Sequence, residues 1–198
     1  MIYLSNINNF LEAKNIVLKK KILSLWEHYD FETIEGKKLG EADANLIQLP
    51  ARFNVHDQSG AEVFHIEGVL ISLRPQYIIR ESTGAELGTI TKKLVKLIGT
   101  EFWVEKNGVE FMRIYGDFTE HEYNLVVDNV QVASVHRKWI SIRDQLEISI
   151  TGEVDHRVVL GAVTVIEHIS FTERQNKASL STTASKKVKK EKDSQKNK

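Results

Sequence analysis

The sequence predicts a mainly β protein, a closed barrel of about twelve antiparallel strands around a central hydrophobic C-terminal helix. Three observations predict it. The apolar pattern has a 24-residue period, a strand-like alternation keeps register with that period, and one long apolar segment lies near the C-terminus.

The period is carried by the tetrads Ile22–Leu25, Leu46–Leu49, Leu70–Leu73 and Leu94–Leu97, which start 24 residues apart. A further 24 residues reach Phe118, and 21 more reach Trp139–Ile142. A fixed period of this kind decides an architecture before any single element does. After each tetrad comes a polar step and then a pair of large apolar residues with one residue between. These pairs are Tyr29/Phe31, Phe53/Val55, Tyr77/Ile79, Phe102/Val104, Tyr123/Leu125 and Leu146/Ile148. Period-2 alternation marks a half-buried strand. Turn residues follow at Gly36, Gly60, Gly84 and Gly108, then at Asp128-Asn129 and Gly152. Gly and Asn supply the positive φ of tight hairpins. Each unit thus reads as strand, glycine turn, strand and bend, and six units give about twelve strands. An open sheet of that size would leave two unpaired edges, which closure removes. A sandwich and a solenoid stand as the alternative architectures.

About eight strands is the size at which wall side chains fill a barrel, so twelve leave a lumen to be occupied. The candidate is 155–171, apolar on nearly every side except a stripe through Arg157, Gly161, Thr164 and His168. Such a helix belongs in an interior. The β-branched residues Val158, Val159, Val163, Val165 and Ile166 point instead to a thirteenth strand. The residues alone leave both assignments open.

With 198 residues, the chain suits one core with tails. Residues 1–15 form an N-terminal segment in which Ile7, Phe10 and Leu11 could pack as a short helix on the barrel. The barrel spans 16–173, and 174–198 is a Lys-rich tail expected to be disordered, having almost nothing to bury. From Asn176 to Lys198 eight Lys face only Glu191 and Asp193; because the whole chain is neutral, residues 1–175 carry a net −6. There is no Cys, hence neither disulfide nor thiol nucleophile. The first ten residues lack a basic region followed by an apolar run, so no secretory leader is expected. The longest uncharged run, Val158–Ile166, is too short to span a bilayer as a helix. A cytoplasmic location follows as the expectation, with peripheral attachment to a membrane.

Two stretches carry a family resemblance. Gly116-Asp-Phe-Thr-Glu-His-Glu-Tyr-Asn-Leu125 and Val132-Ala-Ser-Val-His-Arg-Lys-Trp139 resemble the LURP-one-related family, which shares its fold with the Tubby C-terminal domain and the phospholipid scramblases. Gly116, Asp117, Phe118, His121, Tyr123, Ala133, Ser134, Val135, Lys138 and Trp139 fall where that family's motif has them. Ile66-Glu-Gly68, Leu70–Leu73 and Ile90–Leu94 agree, and the resemblance covers about residues 17–171. It implies a twelve-stranded barrel threaded by a hydrophobic C-terminal helix, and so favours helix for 155–171. For function it implies only a theme, association with membrane phospholipids. The Pro-rich N-terminal segment and cysteine cluster of scramblases are missing, which counts against scramblase activity. No position matches the Tubby phosphoinositide site residue by residue.

Chemical motifs are sparse. The sequence has no G-x-S-x-G elbow, phosphate-binding glycine loop or H-E-x-x-H, and its seven His lack ligand spacing. No catalytic residue, cofactor or metal is therefore expected. Asp117 with His121 fits a hairpin bend better than an acid/base pair. Trp26, Trp103 and Trp139 sit in or beside tetrads and read as barrel core, Trp26 being the one most open to solvent. Basic clusters recur at Lys19–Lys21, Lys37-Lys38, Lys92, Lys93 and Lys96, and Arg137, Lys138 and Arg143. Several flank a tetrad, which on a barrel gathers them toward one rim, although Lys also serves simply to guard strand edges. Lys92, Lys93, Lys96, Arg137, Lys138 and Arg143 are accordingly the candidates for binding anionic phospholipid. A protein-interaction scaffold is the alternative, and no sequence-specific nucleic acid is expected. A lumen carrying a small apolar ligand is disfavoured because the helix should fill that space.

Overall fold

A computed structural model describes residues 7–23, 26–45, 50–95, 99–138 and 145–196. It contains α1 (Ile7–Glu12), β1 (Asn15–Leu23), β2 (Trp26–Glu32), β3 (Lys38–Asn45), β4 (Arg52–Asp57), β5 (Glu62–Gly68) and β6 (Gln76–Glu81). These are followed by β7 (Glu86–Val95), β8 (Gly99–Lys106), β9 (Val109–Asp117), β10 (Glu122–Val127), β11 (Val130–Lys138), β12 (Gln145–Ile150) and α2 (His156–Lys196). The chain forms two compact units, Met1–Val165 and Ile166–Lys198.

In the first unit, each strand pairs antiparallel with the next, and β1 pairs with β12 to close a twelve-stranded barrel. The closing register sets Ile16 opposite Ile148 and Leu18 opposite Leu146. Of the twelve residues in the six expected apolar pairs, eleven are buried, and Tyr77 is half-buried. Their period-2 spacing puts them on one face of every hairpin, the face that lines the lumen. The turn glycines also stand as expected: Gly36, Gly60, Gly84 and Gly108 all have positive φ, as do Asp128 and Asn129.

Strands in an up-and-down barrel alternate in direction, so one period, two strands and two connections, returns the chain to the same end. All the glycine turns therefore lie at one end. The other connections, including 69–75 between β5 and β6, lie at the opposite end. This corrects the expected role of the tetrads. Leu70–Leu73 is no part of the wall; it lies in an exposed connection. Ile22-Leu23 ends β1 and Leu94-Val95 ends β7. The remaining tetrad residues lie outside the described residues.

The segment from Val158 to Val165 is buried on every side, more than two turns of helix. Only the barrel lumen surrounds an element in that way. Helix wins over a thirteenth strand because the closed sheet offers no free edge. Inside it a segment satisfies its own amides or leaves them orphaned, despite five β-branched residues. Asp155 caps the N-terminus, its Oδ1 accepting from the Arg157 amide at 2.9 Å. Three of the four stripe positions are accounted for in turn. Arg157 reaches Glu81 on β6 at 3.0 Å. The buried Thr164 hydroxyl donates to the Leu160 carbonyl at 2.8 Å. A Cβ at Gly161 would come within 2.7 Å of Ile79 Cδ1, so this turn lies tight on β6. At the glycine-turn end, Phe10 of α1 is buried edge-on against Phe31, ring centroids 5.5 Å apart, as the N-terminal apolar residues suggested.

The second unit is the rest of α2, which continues to Lys196 instead of ending at Phe171. Helix thus occupies most of the segment expected to be a disordered tail. Its commonest residue is Lys, eight of 25, which propagates helix without needing burial.

Two substitutions separate packing from backbone conformation. Gly161→Leu should lower the urea midpoint by an amount equivalent to at least about 2 kcal/mol, since the lumen has no space for it. Gly60→Ala meets no atom within 4 Å and has only its φ of +83° to accommodate, which should cost about 1 kcal/mol.

Candidate functional site

The basic candidates fall at the end opposite the glycine turns. Lys92 and Lys93 lie two to three residues before the end of β7, and Arg137 and Lys138 end β11, strands that run in the same direction. Lys96 and Arg143 lie outside the described residues. The two groups do not form one patch. Four strand intervals separate them, and between them the connection from β9 to β10 carries Asp117, Glu120 and Glu122. Asp117 Oδ1 accepts the Thr119 and Glu120 amides at 2.9 and 3.0 Å, and His121 is buried at a φ of +58°. The Asp117–His121 segment is thus a built bend.

Near β7 the rim has a different character. The connection 69–75, Val-Leu-Ile-Ser-Leu-Arg-Pro, holds Leu70, Ile71 and Leu73 at 68, 93 and 106% exposure. Its base is fixed: the Gly68 amide donates to the Ala51 carbonyl at 2.8 Å, and the Val69 amide to the Gln76 carbonyl at 2.9 Å. Within it, Ser72 Oγ donates to Gln76 Oε1 at 3.0 Å and accepts the Arg74 amide at 3.3 Å. The Lys92 amide donates to the Pro75 carbonyl at 3.2 Å, and Gln76 Nε2 donates to Thr91 Oγ1 at 3.1 Å. The aliphatic connection and the end of β7 are therefore one surface, carrying Leu70, Ile71, Leu73, Arg74 and Lys92; the Lys93 side chain runs the other way, toward Glu105 and Glu110 beside the Gly108 turn. Trp26, at the start of β2, is 51% exposed at the same end, as its place at a bend suggested.

The cations differ in their surroundings. Arg74 is exposed and has no acidic partner among the described residues. Lys93 Nζ pairs with Glu110 and lies 4.7 Å from the Trp103 ring centroid. Trp103 alternates with the buried Phe102 and Val104, so it stands on the outer wall rather than in the core, with the Arg113 guanidinium 5.4 Å from its ring. Trp139 lies outside the described residues. Lys138 is 3.6 Å from Glu147. Lys19 and Lys21 pair with Glu32 and Asp30, each at 2.5 Å, and Lys38 pairs with Glu41 at 2.5 Å. These strand lysines mainly balance neighbouring carboxylates, worth about 1 kcal/mol or less when exposed.

Two polar clusters were invisible in the sequence. Glu27 is fully buried, bound by the Tyr29 hydroxyl and by Lys20, whose strand register places it beside Tyr29. Burial, with Glu27 nearby, pushes the Tyr77 hydroxyl up to about 12. On the outer face, His28, Asp30 and Glu41 approach as a metal-ligand set would, within 4.8 Å. Their partners are already supplied: His28 Nδ1 meets Asp43 at 2.6 Å and its Nε2 meets Asp30 at 3.0 Å, while lysines answer both carboxylates. Burial opposes ionisation of Asp30, but hydrogen bonds from Lys21 and His28 outweigh it and hold its pKa at about 2. Burial likewise lowers the His28 pKa, yet Asp43 and Asp30 raise it above the usual imidazole range. The spacing of either cluster becomes a signal only once the register pairs β1, β2 and β3.

Among the described residues no helix is long and apolar enough to cross a membrane. The family model described as LURP-one-related matches residues 14–167. The fold is similar to an X-ray structure of an Arabidopsis thaliana protein, with a TM-score of 0.58 and 15% sequence identity, covering 82% of this chain and 95% of that one. No curated protein sequence matches.

Asp30 should govern acid stability. Its folded pKa lies below the unfolded value of 3.8, so its contribution is present above pH 4 and lost as pH falls toward 2. Asp30→Asn should thus be less stable than the parent at pH 7 and close to it at pH 2, as read from thermal midpoints across that range.

Proposed function

The chain belongs to the LURP-one-related family, and we propose that it is a non-enzymatic module that docks by one end of its barrel on membranes containing anionic phospholipid. One observation carries this reading: Arg74 and Lys92 share a rim with three exposed aliphatic side chains. Exposed apolar residues bordered by cations fit the boundary between headgroups and acyl chains. Each Lys or Arg near an anionic surface contributes about 1 kcal/mol within a Debye length. Arg137 and Lys138 would add to this from across the rim, and the Lys-rich end of α2 is a further source of positive charge. Docking as a peripheral protein is compatible with a cytoplasmic location.

The test is co-flotation with neutral and with anionic vesicles at low and physiological salt. Wild type should float only with anionic vesicles, and less at the higher salt. Replacing Arg74 and Lys92 with Gln should weaken binding by roughly 30-fold, the equivalent of about 2 kcal/mol for two charges. Failure to float under every condition would sink the lipid reading and leave the scaffold alternative, which calls for a co-purifying protein.

A further inference from the structure

We infer that the connection Val69–Pro75 is a bilayer-inserting prong, with Leu70, Ile71 and Leu73 entering the acyl region while Arg74 and Lys92 stay at the headgroups. This deepens the membrane reading and rests on it: that reading needs only surface charge, whereas the prong adds apolar contact and sets the orientation of the barrel.

The case begins with what a folded chain normally does with such residues. Scattered exposed aliphatics are unremarkable, but here three of four consecutive residues are largely or fully exposed in one short connection. The connection is no slack loop that failed to find the core. Both ends are tied by backbone hydrogen bonds, Val69 to Gln76 and Pro75 to Lys92, and Ser72 cross-links its middle. The fold holds these side chains outward.

The nature of the occupant follows from shape and charge. A protein partner is usually met by a flat or concave apolar face, whereas this element is a narrow convex tip. Its border is cationic: Arg74 lies within it, and Lys92 lies on the strand hydrogen-bonded to its base. A second copy of the chain would bring the same positive charge against itself. An anionic headgroup layer supplies the opposite charge, and its acyl interior accepts the aliphatic tip. Trp26, a residue type that favours the interface, is exposed at the same end. Entry by this tip would direct the glycine turns away from the bilayer.

The absence of native cysteine allows a single-site test on the full chain. Ile71→Cys and Ser82→Cys, the latter in the glycine turn at the other end of β6, are each labelled with an environment-sensitive fluorophore and mixed with anionic vesicles containing brominated lipid. A blue shift with quenching at 71 and neither at 82 is the expected result. In parallel, Ile71→Asp with Leu73→Asp should lower affinity for the same vesicles by roughly 30-fold or more, with an unchanged thermal midpoint because both positions are exposed. If wild type floats but position 71 is unquenched and the double variant binds normally, the prong is wrong while the charge-based reading stands. If wild type never floats, both fall. A blue shift at 71 without vesicles, accompanied by dimers in sedimentation, would assign the tip to a second copy and overturn the inference.

Discussion

A sheet of twelve strands closed on itself encloses more space than its own side chains can fill, and nearly everything else in this protein answers that constraint. The lumen has to be filled by something that is apolar on all sides and satisfies its own backbone. The first turns of α2 meet both conditions. Five large aliphatic residues from Val158 to Val165 are buried there. At about 2 kcal/mol each, their burial contributes on the order of 10 kcal/mol before entropy is counted, comparable to the whole net stability of a typical domain. The wall and the helix are therefore mutually dependent. Gly161 against Ile79 shows how close the fit is, and Asp155 fixes where the helix begins.

Closure also gives the molecule two unlike ends. Because strand direction alternates, a repeat of strand, turn, strand and bend sends every glycine turn one way and every other connection the opposite way. The glycine turns are tight and expose apolar residues only singly, at Ile34, Val109 and Val130, and Phe10 packs beside Phe31 near them. The other end carries the exposed aliphatic connection, Trp26 and the cations of β7 and β11. A barrel built from one repeated hairpin thereby acquires a working end without any departure from its repeat.

This explains what could be read from the sequence and what could not. The lumen-facing pairs from Tyr29/Phe31 to Leu146/Ile148 were legible because alternation and burial go together in a closed wall. Gly36, Gly60, Gly84 and Gly108 were legible because the turn geometry admits few other residues. Leu70–Leu73 was misread: a short, mostly apolar run looks the same in a wall strand and at a rim, and only strand length decides between them. Trp103 was misplaced for a related reason, since its neighbours Phe102 and Val104 took the inward positions. The partners of Lys20 and His28 come from adjacent strands and that of Lys93 from the next strand but one, up to 17 residues away in sequence. Of the six basic candidates, the structure joins Lys92 to an apolar surface, turns Lys93 toward Glu110, and sets Arg137 and Lys138 apart, beyond the acidic β9–β10 bend.

Residues 1–175 carry a net negative charge, which at first sight opposes any approach to an anionic surface. Distance removes most of the objection. Strands of six to ten residues, at about 3.3 Å each, separate the two ends by roughly 20–30 Å. At physiological salt the Debye length is about 8 Å, so charges at the glycine-turn end are screened from a bilayer touching the opposite rim. What the surface senses is the local pair of Arg74 and Lys92, since the Lys93 ammonium is turned toward Glu110 beside the Gly108 turn. Such a small set gives weak attraction by itself, a few kcal/mol at most. Durable attachment then requires apolar contact in addition to charge, and the three aliphatic side chains held outward between β5 and β6 are placed where that contact would be made.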